Sequence, residues 1–394
     1  MKSNTVYLDH SATTYLLPEV KKAMMPFFET VYGNPGSFHA EGLNARRALQ
    51  SARERVAKIL NCRANEVIFT GSGTESINLA IKGVAEALKN NGKHIITSKI
   101  EHHAVLHTCK WLETQGFEVT YLDVDKYGQV NPKSLEKAIR KDTILASIMY
   151  ANNEIGTLNS IKELAGICRK HSVLFHTDAC QVANTQTLDV KELGADLLSL
   201  NGSKIYAPKG IGLLYVKSGT PIKPIIHGGH QEFGLRAGTE NIAFITGFAK
   251  ALEIADAEKE AESKRLKKLR DRLEIELINR IPESFVNGHP KERLPNILNI
   301  TVLNVEGEAL LLKLDKEGIC ASTGSACTSD SLEPSHVLLG IGLPYEAAHG
   351  SLRFSLGKNT SEDDIDKVIE VLPGIAEELR KLSPVKLRKE DVLK

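Results

Sequence analysis

The sequence predicts an α/β fold, a mostly parallel sheet covered by helices on both faces, with a smaller α+β unit towards the carboxyl terminus. Three observations lead there. Short apolar runs alternate with segments of helical period through residues 65–216, the pattern of successive βα units. Polar or glycine-rich turns follow those runs directly, where ligands sit in parallel sheets. A long charged helical stretch over residues 242–281 then separates this alternation from a second group of strands and helices.

At 394 residues the chain is long enough for two or three domains. Fifty basic and 49 acidic residues leave a formal charge of +1, so no global field for direct nucleic-acid or membrane binding is expected. No apolar run approaches the roughly 18–20 residues of a membrane span. Residues 1–8 lack the basic head and apolar core of a signal peptide. The cysteines (Cys62, Cys109, Cys168, Cys180, Cys320 and Cys327) include no Cys-x-x-Cys pair, so neither a zinc ribbon nor a disulfide framework is signalled. Reduced thiols and a cytoplasmic location are expected.

Residues 6–14, Val-Tyr-Leu-Asp-His-Ser-Ala-Thr-Thr, read as a short strand running into a polar turn. Pro18 starts a helix to about Thr30. Gly33-Asn34-Pro35-Gly36-Ser37 is a turn cluster, a connector in which Asn34 could still face a ligand. An amphipathic helix covers 42–60. The strand 66–70 runs into Gly71-Ser72-Gly73-Thr74, and Glu75 opens the next helix. Strand, glycine-rich turn and helix aim backbone N–H groups at an anion, and the Thr74 hydroxyl adds a bond. The turn is neither a Walker A loop nor a complete Gly-x-Gly-x-x-Gly.

A strand at 94–97 leads to Glu101-His102-His103. Adjacent histidines point apart on a helix and make a poor metal pair. One ring could stack on a flat cofactor, or both could face solvent. Strands at 116–122 and 143–150 follow, the second ending in Asn152-Asn153-Glu154. The strand 173–178 ends at Asp178, and the apolar runs 196–200 and 212–216 flank Asn201-Gly-Ser-Lys204-Ile-Tyr-Ala-Pro-Lys209-Gly. Along the 242–281 stretch acidic and basic residues alternate, so a solvated helix is expected rather than a nucleic-acid patch. Beyond it, strands at 297–303, near 319–321 and at 351–355 accompany helices near 306–316 and 361–381.

The chemistry lies at the strand ends. A lysine on a turn between two buried strands can form a Schiff base with a carbonyl cofactor. Lys204 as the anchor of pyridoxal phosphate is the hypothesis. Two ordinary surface lysines are the alternative, and spacing does not separate Lys204 from Lys209. A buried carboxylate beside a pyridine nitrogen keeps it protonated and makes the ring an electron sink. Asp178 suits that role, with capping of the next helix as its competing use. Gln181, one helical turn on, could bond the ring hydroxyl. His227-Gly-Gly-His230 has no third ligand nearby, so no metal site is expected. Cys327 stands among small polar residues, unlike a core cysteine, and suits a nucleophile carried to a substrate. Cys62, Cys109, Cys168 and Cys320 read as packing, and Cys180 stays open. Arg353 could grip a carboxylate bidentately or be a plain surface arginine.

Assembled in order, Leu8-Asp-His-Ser-Ala-Thr-Thr14, Gly33-Asn-Pro-Gly-Ser37, Thr74-Glu75 with Asn78-Leu-Ala-Ile81, Glu101-His102, Asn152-Asn-Glu154, His176-Thr-Asp-Ala-Cys-Gln181, Lys204-Ile-Tyr-Ala-Pro-Lys-Gly210, Arg236-Ala-Gly-Thr239, and Gly324-Ser-Ala-Cys327 with Leu332-Glu-Pro334 carry a resemblance. From Tyr7 to about Pro384 the chain resembles the NifS/IscS-type cysteine desulfurases, pyridoxal-phosphate enzymes of the aspartate-aminotransferase fold. The resemblance implies a large domain over residues 15–255 with a seven-stranded, mostly parallel sheet. It implies a small domain over 256–394, joined by residues 1–14, that carries the cysteine loop.

The implied roles are specific. Lys204 would carry the cofactor, His102 would stack on its ring, Asp178 would face the pyridine nitrogen, Gln181 the ring oxygen, and Asn153 would also touch it. Gly73, Thr74, Asn201 and Ser203 would surround the phosphate, with Thr239 supplied by the second subunit of a homodimer. Asn34 and Arg353 would bind the carboxylate of L-cysteine. Cys327 would accept the sulfur, and it could transiently ligate a transferred iron–sulfur cluster. The implied activity converts L-cysteine to L-alanine and hands sulfur to an acceptor or scaffold protein, for iron–sulfur clusters or tRNA thiolation. Selenocysteine lyase or desulfinase activity, or a non-catalytic scaffold keeping the fold, are the alternatives. The chain departs from the pattern at Ser203, usually histidine, at Asn201, usually serine, at Gly71-Ser72-Gly73, usually Ser-Gly-Ala, and at His230, usually glycine.

Overall fold

A computed structural model describes residues 5–324, 333–384 and 386–393. In chain order its strands are β1 (Val6–Tyr7), β2 (Val67–Thr70), β3 (His94–Ser98), β4 (Glu118–Leu122), β5 (Thr143–Ser147), β6 (Leu174–Asp178), β7 (Leu197–Asn201), β8 (Gly212–Val216), β9 (Ser284–Asn287), β10 (Ile297–Val302), β11 (Ile319–Cys320) and β12 (Ser351–Ser355). Among the described residues the central sheet has seven strands in the order β2-β8-β7-β6-β5-β3-β4. The pairs β3–β4, β3–β5, β5–β6 and β6–β7 are parallel, while β8 runs antiparallel to both β2 and β7. Chain length explains the reversal. Residues 202–211 join β7 to β8, and a parallel neighbour needs a crossover of about a dozen residues or more.

Because β8 alone is reversed among these strands, β2, β3, β5, β6 and β7 deliver their carboxyl ends to one edge. β2, β3, β5 and β8 are buried at every position, which is why they read as continuous apolar runs rather than alternating ones. The smaller unit holds an antiparallel sheet β12-β10-β9 and a parallel pair β1-β11. Val6 and Leu8 sit in its core with Leu273, Ile300 and Phe354. The amino-terminal strand is therefore built into the carboxyl-terminal unit.

Two expectations are corrected and one strand is new. The helix expected over 18–30 is two pieces, Pro18–Met24 and Pro26–Glu29, because Pro26 brings no N–H and its ring crowds the preceding turn. The helix Ile242–Arg280 is not a solvated rod. Phe248 and Leu252 pack into the large core, and Leu266, Leu273 and Leu277 into the small one. Only the charge-rich stretch between them, 256–265, is largely exposed. The helix is thus a strut shared by two cores. β9 had no expected counterpart, since Ser284-Phe-Val-Asn287 is too short to show a period of two.

The loop before this helix is tied down by a buried ion pair. Arg53 donates to both carboxylate oxygens of Glu232 at 2.7 Å, and Glu232 also accepts from the Phe69 N–H at 2.9 Å. Both side chains are buried. Arg53→Ala is expected to destabilise the chain by about 3–5 kcal/mol, because it strands a buried carboxylate. An unchanged urea midpoint would contradict this.

Candidate active site

At the carboxyl edge of the sheet lies a cleft of about 460 Å³. Ten of the expected site residues line it: Gly73, Thr74, His102, Asn153, Asp178, Gln181, Asn201, Ser203, Lys204 and Arg353. Each is placed by an identifiable local cause.

The helix Gly73–Leu88 starts two residues earlier than expected. Its cap is Ser72, whose hydroxyl accepts from the Glu75 N–H at 3.1 Å. Gly73 and Thr74 thus belong to the first turn, whose N–H groups have no intrahelical acceptor. A Cβ at Gly73 would lie 2.8 Å from Cys180 Sγ and 3.0 Å from Asn201 Cβ. Only glycine lets this turn pack there, and Cys180 is the surface it packs on. The Cys180 thiol is pushed up by burial, with Asp178 adding to the effect, so it is a neutral packing group.

Lys204 ends the short 3₁₀ turn Gly202–Lys204 that follows β7. Its Nζ donates to the Ala12 carbonyl, and its own carbonyl accepts from Asn184 Nδ2 at 2.8 Å. The Ser203 carbonyl accepts from the Thr14 N–H at 2.9 Å and the Thr14 hydroxyl at 3.0 Å. The amino-terminal segment therefore clamps the lysine turn. Lys209 is exposed and does not line the cleft. Asn201 Oδ1 accepts from the Ser203 N–H at 3.3 Å, so the end of its amide not engaged there is the donor end.

His102 caps the helix His103–Thr114, its Nδ1 accepting from the Ala104 N–H at 3.0 Å. That bond puts the ring proton of the neutral form on Nε2. Burial lowers the His102 pKa, against a smaller upward pull from Asp178, which favours the neutral ring. His103 instead stacks with His107 and His336, at ring-centroid distances of 4.9 and 4.7 Å. Asp178 closes β6, and its Oδ1 accepts from the Cys180 N–H at 3.0 Å. It therefore caps the following turn and faces the cleft at once. Gln181 Nε2 donates to the Ser11 carbonyl at 3.0 Å.

Arg353 is not a surface residue, being 2% exposed on β12. Its Nη2 meets Asp9 Oδ1 at 2.7 Å and its Nη1 donates to the Asn153 carbonyl at 3.0 Å. Among the described residues its buried Nε has no hydrogen-bond partner. A buried donor left over beside the bonds to Asp9 and Asn153 suits an incoming carboxylate.

Asn34 and Thr239 are exposed and do not line this cleft. Asn34 Oδ1 accepts from the Gly36 N–H at 2.8 Å within its own turn. Cys327 lies outside the described residues, while Gly324, just before it, lines the cleft. Sequence reasoning missed Ser11 and Ala12, which line the cleft from the chain's other end, and the apolar wall of Ile77, Met149 and Ala151. It also missed Glu101, a buried acid next to His102.

Glu101 Oε1 accepts from Ser98 Oγ at 2.6 Å and the Met149 N–H at 3.0 Å, tying β3 to the end of β5. Burial, with Asp178 adding to it, pushes its pKa up from 4.5 to about 8. Between those values the native state holds a proton that the unfolded chain has lost. Stability therefore falls as pH rises through this window, by up to about 1.4 kcal/mol per pH unit from this group. Glu101→Gln is expected to remove that component, seen as a stability difference from wild type that grows between pH 5 and pH 8 in urea titrations. A difference independent of pH would mean that Glu101 is ionised in the native state.

The residues fit pyridoxal phosphate: a helix start whose first turn packs closely enough to require glycine, a lysine and an aspartate converge on one cleft. The aminotransferase class-V family model matches residues 6–368. The chain is 54% identical to the cysteine desulfurase IscS of Methanosarcina thermophila over 384 residues, 98% of this chain and 95% of the relative. A solved NifS-like protein matches it with TM-score 0.90 at 38% identity, covering 95% of this chain and 100% of that one. SspA, solved in complex with cysteine, matches with TM-score 0.79 at 36% identity, covering 89% and 98%. The fold, the cleft and these matches agree: the chain belongs to the aminotransferase class-V family.

Proposed function

We infer that this chain is a pyridoxal-phosphate-dependent cysteine desulfurase, which converts L-cysteine to L-alanine and takes the sulfur as a persulfide on Cys327. The observation that carries the reading is the meeting of Lys204, Asp178, His102 and Arg353 in one cleft, in a chain 54% identical to a cysteine desulfurase. Bound pyridoxal phosphate supplies an electron-withdrawing ring that accommodates negative charge developing at the substrate.

The remaining work falls to side chains. Gly73 and Thr74 would hold the phosphate, helped by Asn201 and Ser203. Asp178 would serve the pyridine nitrogen, Gln181 the ring oxygen, and neutral His102 and Asn153 would contact the ring. Lys204 anchors the cofactor, and its amine moves the substrate's Cα proton. Arg353 binds the substrate carboxylate, while Asn34, outside the cleft, is left without that role. The Cys327 thiolate attacks the substrate sulfur. An S–S bond forms, the Cβ–S bond breaks with its electron pair left on carbon, and protonation of that carbon gives alanine. An ionised thiol is needed because the neutral form is a poor nucleophile.

Surface chemistry supports a homodimer. Phe38 is 87% exposed and Tyr32 76%, and Phe28, Leu43 and Phe233 are exposed too. Exposed apolar surface in excess of what a monomer carries marks interaction sites. Tyr32 and Phe38 stand on either side of Asn34 in sequence and Phe233 shortly before Thr239, and the partner subunit's Thr239 is assigned to the phosphate. A sulfur-acceptor or scaffold protein completes the cycle. Among the described residues no helix is long and apolar enough to cross a membrane. The enzyme is assigned to the cytoplasm, where it supplies sulfur to iron–sulfur clusters or thiolated tRNA. The test is to supply L-cysteine and a reductant to the purified protein. Alanine and sulfide in equal amounts are expected, and absence of alanine would leave the non-catalytic scaffold reading.

A further inference from the structure

One buried acid at the cleft's edge has no part in this chemistry. Glu154 follows Asn153 in the turn beyond β5 and is 3% exposed. Its N–H donates to Asn152 Oδ1 at 2.8 Å, and its carbonyl accepts from Asn299 Nδ2 on β10 at 3.3 Å. The residue is thus held by both structural units.

Its carboxyl meets the chain twice more. Ser335 Oγ donates to Glu154 Oε2 at 2.5 Å. That same hydroxyl caps the helix His336–Gly340, accepting from the Val337 and Leu338 N–H groups at 3.1 and 3.3 Å. With its acceptor capacity used by the helix, its single proton is committed to Glu154. On the other side, Gly324 rests against the same oxygen, since a Cβ there would lie 2.6 Å from Glu154 Oε2. Gly324 has φ +95°, and its N–H donates to Ser322 Oγ at 3.1 Å. Ser322 in turn exchanges backbone bonds of 3.2 and 2.6 Å with Arg353. One carboxyl oxygen therefore touches residues 324 and 335, which bracket Cys327 in sequence, and its neighbour Asn153 binds Arg353.

Burial raises the pKa of this acid, so its presence there costs free energy. An apolar side chain of similar volume would fill the space but give Ser335 no acceptor.

We propose that Glu154 is a positioning residue for sulfur transfer: by accepting from Ser335 and seating Gly324, it sets where both ends of the Cys327-bearing stretch stand relative to Arg353. The proposal rests on the desulfurase reading above, with Cys327 as sulfur acceptor.

The experiment compares wild type with Glu154→Ala, Glu154→Gln and Ser335→Ala. Three quantities are measured: amide exchange at Val337 and Leu338 without cofactor, the visible spectral change of the loaded enzyme on adding L-cysteine, and the persulfide on Cys327 by mass after rapid alkylation. In Glu154→Ala, exchange at both amides is expected to speed up and the spectral change to survive at its wild-type rate. Persulfide formation is expected to slow about 10²-fold, the penalty of misplacing a reacting group by about an ångström. Glu154→Gln keeps an acceptor and restores most of that rate. If Glu154→Ala does not fold, Ser335→Ala removes the same bond from the other end and slows the persulfide step alone. Equal loss of spectral change and persulfide, or full persulfide formation without the bond, overturns the proposal. No persulfide on Cys327 in the wild type overturns the underlying reading instead, and the role of Glu154 with it.

Discussion

Lys204→Ala is expected to fold, to lose the visible absorbance of covalently held cofactor, and to slow alanine production from L-cysteine by about 10⁴-fold or more, the upper range for removing a proton-transfer group and here with the anchor lost as well. The fold survives because the lysine turn is held mainly by its backbone. Thr14 donates twice to the Ser203 carbonyl, and Asn184 donates to the Lys204 carbonyl. The side chain adds its bond to the Ala12 carbonyl, so alanine at 204 removes chemistry more than structure. Lys209→Ala is the matched control, since Lys209 is exposed and outside the cleft. It should leave spectrum and rate unchanged. A wild-type spectrum in Lys204→Ala would overturn the assignment of the anchor.

Cys327→Ala is expected to keep the spectral response to L-cysteine while alanine and sulfide production fall by about 10²-fold or more. The size follows from what the other thiols can offer. Burial pushes Cys62, Cys109 and Cys168 up to about 12. Against an ordinary thiol, the ionised fraction at pH 7 drops by roughly 10³-fold, and their greater intrinsic nucleophilicity recovers only part of that. Cys180 lines the cleft, but its thiol is raised too and packs where a Cβ of Gly73 would go. None of these is a substitute nucleophile. Full turnover in Cys327→Ala, measured as alanine released, would remove its assigned role.

Much of the large sheet was legible before any coordinates, for a local reason. Strands buried on both faces are continuous apolar runs, and the residues after them must be polar or glycine to turn and to meet a ligand. Asn153 and Lys204 stand in such turns, Asp178 closes its strand, and Gly73 and Thr74 open the helix beyond theirs. The misses have local causes too. Pro26 ends a helix whose apolar pattern continues past it. In Ile242–Arg280 the buried positions change partner from the large core to the small one, and alternating charge hides both stripes. Glu101 and Glu154 look like ordinary surface acids, because nothing in their neighbours announces that Met149 and Ser335 arrive from elsewhere to bond them.

The sequence by itself determined the βα alternation, the positions of the strand-end turns and the chemical inventory placed there, since these follow from short-range periodicity and turn chemistry. Spacing and turn chemistry left three choices open, on which only the family resemblance took a side: Lys204 against Lys209, His102 against His103, and Arg353 in a site against Arg353 on the surface. Only the tertiary structure separated these alternatives in space, through contacts far apart in the chain. β1 pairs with β11, which carries Asp9 to Arg353 and Ala12 to Lys204. The start of the helix His103–Thr114 turns the His102 ring into the cleft while His103 packs, tilted, on His336. Such pairings depend on burying strands and rings against partners hundreds of residues away, and no window of local sequence encodes which partner arrives.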